Sequence, residues 1–397
     1  MSRRSGVGLV AGAATLAVGG FAVGLKLERA LIGRRLRSEL AEPQENFFAL
    51  RSDGVSVQTP DGVRLHAEVD PKGPEPAEGP QTRPQGPEPV EGPQRNDRGP
   101  ELVEGPRLGS AQPTLVFVHG YALSLDCWHF QRKHFRGRYR MIFYDQRSHG
   151  RSGRSSPDRC RIPQLADDLA QILREVAGPG PVILIGHSMG GMTIMELARQ
   201  HPAWFTGDNA AVPVDGIGPI IGVGLVCTSA DDLLDPHPVR GLPSRAAARL
   251  AEPAMAALNR IPTVVEQTRQ AGSDLAYLVT RGMTFPSPVP PSYVQFMSDM
   301  LGQTPLEVVA DFYPAFAELD QAAGLAVINT VPTAVVGARQ DLVTPYRHTG
   351  VILDHLPAAE KLILDQSGHM AMIEHHQKVN TFLDRLIDRA TQHITRS

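Results

Sequence analysis

The sequence predicts an α/β fold on a mostly parallel central sheet. Three observations carry this. From Thr114 to the C-terminus, short apolar runs alternate with helical stretches at the spacing of βαβ units. The run Val182–Ile185 passes through a glycine-rich turn straight into a helical stretch, Met192–Gln200. A block from Ala230 to about Asn329 then lacks the strand pattern, which returns at Pro332. At 397 residues and 42% hydrophobic content the chain can bury a full core. Its net charge of -3 leaves no basic footprint for nucleic acid. Three widely spaced cysteines (Cys127, Cys160, Cys227) without a CxxC indicate neither a disulfide framework nor a zinc site.

The N-terminal part, 1–46, reads as a membrane anchor with its basic flank. Residues 6–25 run without a charge, and at 1.5 Å per residue a helix of that length spans about the 30 Å hydrocarbon core. Lys26, Arg29, Arg34, Arg35 and Arg37 follow, against Arg3 and Arg4 before it, a bias toward a cytoplasmic C-terminal side. Two other readings stand beside this one: a cleaved secretory signal, and export through a twin-arginine-like signal at Ser2-Arg3-Arg4. The expectation is a single-pass membrane protein, with the side of the membrane open.

Residues 47–70 read as a pair of strands, Gly54–Thr59 and Val63–Val69, joined by the turn signal Pro60-Asp61-Gly62. From 71 to 112 an octapeptide recurs every 13 residues, starting at Gly73, Gly86 and Gly99. The period is too short for a solenoid, and Pro, Gly and Glu cannot bury a core, so the expectation is a disordered insertion. Residues 113–230 carry the strands Thr114–Tyr121, Arg140–Asp145, Val182–Ile185 and Gly222–Ser229, and a helix at Ile162–Val176. Residues 231–329 read as a helical cap, with helices at Ser244–Asn259, Thr263–Thr280, Pro291–Leu301 and Pro305–Phe316. Residues 330–397 return to the sheet at Pro332–Gly337 and Lys361–Asp365 and close with a helix, Lys378–His393.

The stretch Gly186-His-Ser-Met-Gly190 is G-x-S-x-G between a strand and a helix, the context of a nucleophile elbow. Its glycines permit a strained turn that exposes the Ser188 hydroxyl above the sheet edge. A serine hydroxyl needs a base within hydrogen-bond reach, and an imidazole is half-deprotonated near neutrality without tuning. The imidazole in turn needs a carboxylate to fix its tautomer. Ser188, Asp341 and His369 supply these groups in the chain order Ser, Asp, His, the latter two in loops after strands that open on the same sheet edge. Asp365, four residues before His369, is the rival acid. His119, His149 and His187 read as structural positions, and Glu374 with His375-His376 as the solvated start of a helix.

Taken together, His119-Gly120, Asp145 with Arg147 and Gly150, Gly186–Gly190, Gly337-x-x-x-Asp341 and Gly368-His369 resemble the landmarks of the α/β-hydrolase family with an inserted cap. The resemblance implies the α/β-hydrolase fold and a serine hydrolase without cofactor or metal. Ser188 is then the nucleophile, His369 the base and Asp341 the acid. The oxyanion hole is formed by the backbone N–H groups of Met189 and Tyr121. The implied substrate is a carboxylic ester with a small apolar acyl group, with Phe285, Phe296, Met297, Met300, Phe312, Tyr313 and Phe316 as candidates for its pocket or for the cap's own core. Serine at position 188 argues against epoxide hydrolases and haloalkane dehalogenases, which carry aspartate there. Thioesterases, acyltransferases, haloperoxidase-like perhydrolases and C–C bond hydrolases share the triad, and a ligand-binding receptor on the same fold is the non-enzymatic alternative.

Overall fold

The computed structural model describes residues 45–73, 112–205, 216–231, 233, 280–317 and 319–396. The N-terminal strands are β1 (Gly54–Gln58) and β2 (Arg64–Asp70), paired antiparallel with Val55 opposite Ala67. Their turn is closed by the Gly62 N–H on the Thr59 carbonyl, with Gly62 at φ +89°, a conformation open to glycine. Six further strands follow: β3 (Thr114–Val118), β4 (Arg140–Asp145), β5 (Val182–His187), β6 (Ile220–Val226), β7 (Thr333–Ala338) and β8 (Glu360–Leu364). They form one eight-stranded sheet in the order β1-β2-β4-β3-β5-β6-β7-β8. β2 pairs antiparallel with β4, and every pair from β4 to β8 is parallel.

Parallel strands need crossovers, and helices supply them. Before β6 these are α1 (His129–Phe135), α2 (Ile162–Ile172) and α3 (Met189–Gln200). Between β6 and β7 the described residues hold α4 (Pro291–Gln303), α5 (Leu306–Phe312) and α6 (Ala322–Ile328). The chain ends with α7 (Tyr346–His355), α8 (Ala371–Glu374) and α9 (His376–Arg396). β3, β5 and β6 are buried along their whole length, which is why they read as continuous apolar runs. Strand alternation divides the core. Val116 and Val118 of β3 join Leu165, Leu169 and Met195 on one face, while Leu115 and Phe117 join Phe135, Phe382 and Leu386 on the other.

Several element boundaries differ from the sequence reading, with β3 ending at Val118 and β6 running Ile220–Val226. The helix expected over Ile162–Val176 keeps α-helical bonding to Ile172 and widens into a π turn over Leu173–Ala177, ended by Gly178 at φ +79°. Apolar periodicity survives such a widening, so the pattern does not register it. α1, α6 and α7 have no counterpart in the sequence reading; with 7, 7 and 10 residues they are short for a periodic signal.

The expectation of a membrane-anchored protein is corrected. Among the described residues no helix is long and apolar enough to cross a membrane. The 6–25 run, with its secretory and twin-arginine alternatives, lies outside the described residues, and its six glycines and five alanines make it weakly apolar for a span. The structure thus gives no support to the membrane localisation or the membrane partner expected from the sequence. Residues 74–111 of the repeat insertion expected at 71–112, the helix expected at 244–259, and all but Thr280 of the helix expected at 263–280 also lie outside the described residues.

Candidate active site

β3 lies between β4 and β5, so the chain leaves β3 toward one side of the sheet and later resumes on the other. The carboxyl ends of β3 and β5 therefore flank a topological switch point, where open α/β sheets form a crevice. Ser188 follows β5 directly and Gly120 lies just beyond β3.

Ser188 sits at φ +52° and ψ −120°, a strained conformation for a residue with a Cβ. The surroundings hold it there. Its N–H donates to the Val226 carbonyl at 3.0 Å, and its carbonyl accepts the Thr228 hydroxyl at 2.7 Å and the Gly191 N–H at 2.9 Å. α3 starts at the next residue, so the positive end of that helix lies under the serine.

Ser188, His369 and Asp341 come together. Ser188 Oγ lies 3.0 Å from His369 Nε2, and His369 Nδ1 lies 2.9 Å from Asp341 Oδ2. A carboxylate only accepts, so the Nδ1 proton points to Asp341 and Nε2 is left to accept the serine proton. Asp341 also accepts the N–H groups of Val343 and Thr344 and the Thr344 hydroxyl, each at 2.8 Å. Burial works to raise the Asp341 carboxyl. The charge and hydrogen bond of His369, with the Thr344 donors, outweigh it and hold the group below the ordinary aspartate value. Asp365 is elsewhere: its side chain is 80% exposed and pairs with Arg339 at 2.8 Å.

The main-chain N–H groups of Tyr121 and Met189 have no acceptor among the described residues. Met189 opens α3, where an N–H lacks an intrahelical partner. Gly120 brings the two strand ends together, since a Cβ there would lie 3.1 Å from Ser188 Cβ and 2.7 Å from His187 Nδ1. The Tyr121 hydroxyl donates to the Val309 carbonyl, and its ring meets Phe316 edge-on at 5.1 Å.

The three other histidines are buried supports. His119 Nδ1–H donates to the Gly120 carbonyl at 2.7 Å, and its Nε2 accepts the Gln146 N–H at 2.9 Å. His187 Nε2–H donates to the His369 carbonyl at 3.0 Å, and His149 Nδ1–H to the Arg147 carbonyl at 2.9 Å. Burial pushes His119 and His187 down to about 3 and His149 to about 4, so all three are neutral near pH 7. Asp145, one of the landmark positions of the sequence, accepts the Leu125 N–H at 2.8 Å and the Arg151 N–H at 2.9 Å, bracing the turn between them.

Three residues near the site carry roles the sequence reading did not assign. Thr344 and Thr228 brace the acid and the elbow. Glu374, read as solvated, is instead half-buried, with four donors on its carboxylate. His375 Nε2–H donates to the Gln366 carbonyl at 2.8 Å, and His376 stacks on Phe130 at 4.0 Å. Thr344 lies in Leu342-Val-Thr-Pro345, a stretch whose hydroxyl three residues past a carboxylate was the available signal.

An open cavity of about 510 Å³, lined among others by Glu45, Lys133, His376 and Asn380, does not touch Ser188, His369 or Asp341. The candidate pocket residues divide between two places. Phe312 meets His149 at 5.1 Å and Phe316 meets Tyr121, both beside the Ser188 crevice. Phe296 stacks on Phe47 at 4.2 Å in a separate aromatic cluster, and Tyr313 is exposed.

This fold and this site define an enzyme of the hydrolase type. The chain matches the alpha/beta hydrolase family over residues 115–382 and belongs to that family. It is 25% identical over 279 residues to 3-oxoadipate enol-lactonase 2 of Acinetobacter baylyi, covering 70% of this chain and 90% of that protein. It is 32% identical over 92 residues to Epoxide hydrolase 1 of Caenorhabditis elegans, a match that spans only 22% of that protein and 23% of this chain. Among solved structures it resembles the esterase EaEST from Exiguobacterium antarcticum, with a TM-score of 0.59 at 16% identity, over 85% of this chain and 100% of that one.

Proposed function

We propose that the chain is a serine hydrolase that cleaves a carboxylic ester through an acyl-enzyme. The observation that carries the reading is the relay from Ser188 Oγ through His369 to Asp341, with separations of 3.0 and 2.9 Å, at the switch point of the sheet. In the first step Ser188 Oγ attacks the ester carbonyl while His369 Nε2 takes its proton. The imidazolium is stabilised by Asp341, and the negative charge on the carbonyl oxygen by the N–H groups of Tyr121 and Met189. His369 returns the proton to the departing alcohol. Water, deprotonated by the same nitrogen, then attacks the acyl carbon, and His369 passes that proton to Ser188 Oγ as the C–Oγ bond breaks and the acid leaves. No cofactor enters these steps. The similarity to an enol-lactonase supports an ester, since a lactone is a cyclic one.

α4 and α5, inserted between β6 and β7, serve in this reading as the part of a cap (231–329) that selects the acyl group. Phe312 and Phe316, beside Tyr121 and His149, favour a small apolar one. The test is covalent labelling by a fluorophosphonate, followed by turnover of aryl esters of increasing chain length. Wild-type protein is expected to label at Ser188 and hydrolyse the short esters, and Ser188→Ala to do neither. Labelling without turnover would favour a receptor on the same fold.

A further inference from the structure

We propose that Glu374 is a positioning residue for His369, clamping the loop that carries this histidine to the segment entering α4. The proposal rests on the roles of Ser188 and His369 given above. Glu374 closes α8, five residues past His369. Its Oε2 accepts the Gly368 N–H at 2.7 Å and the Ser367 hydroxyl at 2.9 Å. Its Oε1 accepts the Ser287 N–H at 2.9 Å and also the Ser287 hydroxyl. One carboxylate thus ties the residue before His369 to the chain just ahead of α4. The two segments also touch directly, because a Cβ on Gly368 would run into Pro286 and the Thr284 carbonyl.

The clamp acts on one side of the histidine while His187 acts on the other. Gly368 N–H is held by Glu374, and the His369 carbonyl accepts from His187 Nε2 at 3.0 Å. With the peptide fixed on both sides, the ring has one placement in which Nδ1 meets Asp341 and Nε2 meets Ser188.

The chemistry of the clamp requires a carboxylate. Each oxygen takes one main-chain N–H and one serine hydroxyl. A hydroxyl can turn and accept instead, but a main-chain N–H only donates. In Glu374→Gln one of the two oxygens becomes NH₂, and in either amide orientation it faces a main-chain N–H. One side of the clamp must open, although the side chain keeps its size.

The test uses the full chain and counts active sites by fluorophosphonate titration before turnover of a short aryl ester is measured. Glu374→Gln is expected to lower kcat per titrated site by about 10²-fold, the usual effect of misplacing a reacting group by about 1 Å. KM should stay within about threefold, and the rate of labelling should fall in parallel with kcat. A residue that merely stabilises the fold gives the other pattern, a smaller titrated fraction with wild-type kcat per site, and that result overturns the clamp. Should Glu374→Gln fail to fold, Ser367→Ala removes one donor from Oε2 and keeps the carboxylate. Its expected loss in kcat per site is about three- to tenfold, in line with one hydrogen bond, and an unchanged value overturns the proposal. Wild-type protein that does not label at Ser188 overturns both this inference and the reading it rests on; labelled wild type with unaffected variants overturns the clamp alone.

Discussion

Gly190→Ala is expected to damage stability and catalysis together, through backbone packing. Gly190 is the second residue of α3, where the helix passes against the end of β3. A Cβ there would lie 2.6 Å from the Val118 carbonyl carbon and 2.8 Å from the His119 carbonyl oxygen, and nearer still to the Val118 oxygen. Contacts under 3.0 Å are essentially never tolerated by a real Cβ, and these atoms are backbone, so no side chain can swing aside. Val118 is fully buried in a strand paired on both edges. The relief available is to move α3 and the elbow away from β3 by something approaching ~1 Å. Overpacking of this kind costs about 1–3 kcal/mol, or more where backbone must shift. Alanine returns up to about 1 kcal/mol in helix propensity. The net expectation is a loss of about 2 kcal/mol. The same displacement separates Ser188 from Gly120 and Tyr121, so kcat should fall about 10²-fold. Urea unfolding followed by ester turnover reads both quantities. Gly302→Ala is the control: it lies in α4 with nothing within 4 Å of its Cβ, and should gain up to about 1 kcal/mol without changing the rate. A Gly190→Ala protein with the wild-type urea midpoint and rate would refute this account of the elbow.

Three other outcomes are expected. Asp341→Asn should lower kcat by about 10⁴-fold, because an amide holds the wrong imidazole tautomer. Asp365→Asn, at an exposed partner of Arg339, should change it less than about tenfold; reversed results would move the acid to Asp365. Stability should decline below about pH 6.5, because unfolded His119, His149 and His187 take up protons there, whereas the folded groups, held by burial at about 3, 4 and 3, do not. Each contributes a slope of about 1.4 kcal/mol per pH unit. Asp168, pushed up to about 6 by burial, works in the opposite sense and offsets about one of the three. A urea midpoint equal at pH 7 and pH 5 would contradict this. Phe312→Ala, beside His149, should alter acyl-chain preference more than acetate-ester turnover, while Phe296→Ala, in the Phe47 cluster, should lower stability by about 3–5 kcal/mol and leave preference intact. Chain-length profiles of the two variants check the contrast.

The parts of this protein legible from sequence alone are those whose cause is local. Val182–Ile185 reads as a strand because a parallel strand buried on both faces leaves no polar alternation. The turn at Ser188 reads as an elbow because its neighbours need glycine where α3 meets β3. Ser188 and His369 are legible for the same reason, each following a strand that points to one edge. Asp341 is legible only in part. Two aspartates follow strands near His369, and it is Asp341, in a loop held by the Thr344 donors, that lies within 2.9 Å of His369 Nδ1. Glu374 reads from sequence as one more charge at a helix start, because its four donors come from Ser287, Ser367 and Gly368. Ser287 is 87 residues away in the chain. His119, His149 and His187 show no sign in the sequence of being neutral, since burial among distant strands sets their charge. Periodicity and turn chemistry act between near neighbours, so they are written in the order of residues. Burial and convergent hydrogen bonds act between residues far apart in the chain, and for these the tertiary structure alone decides.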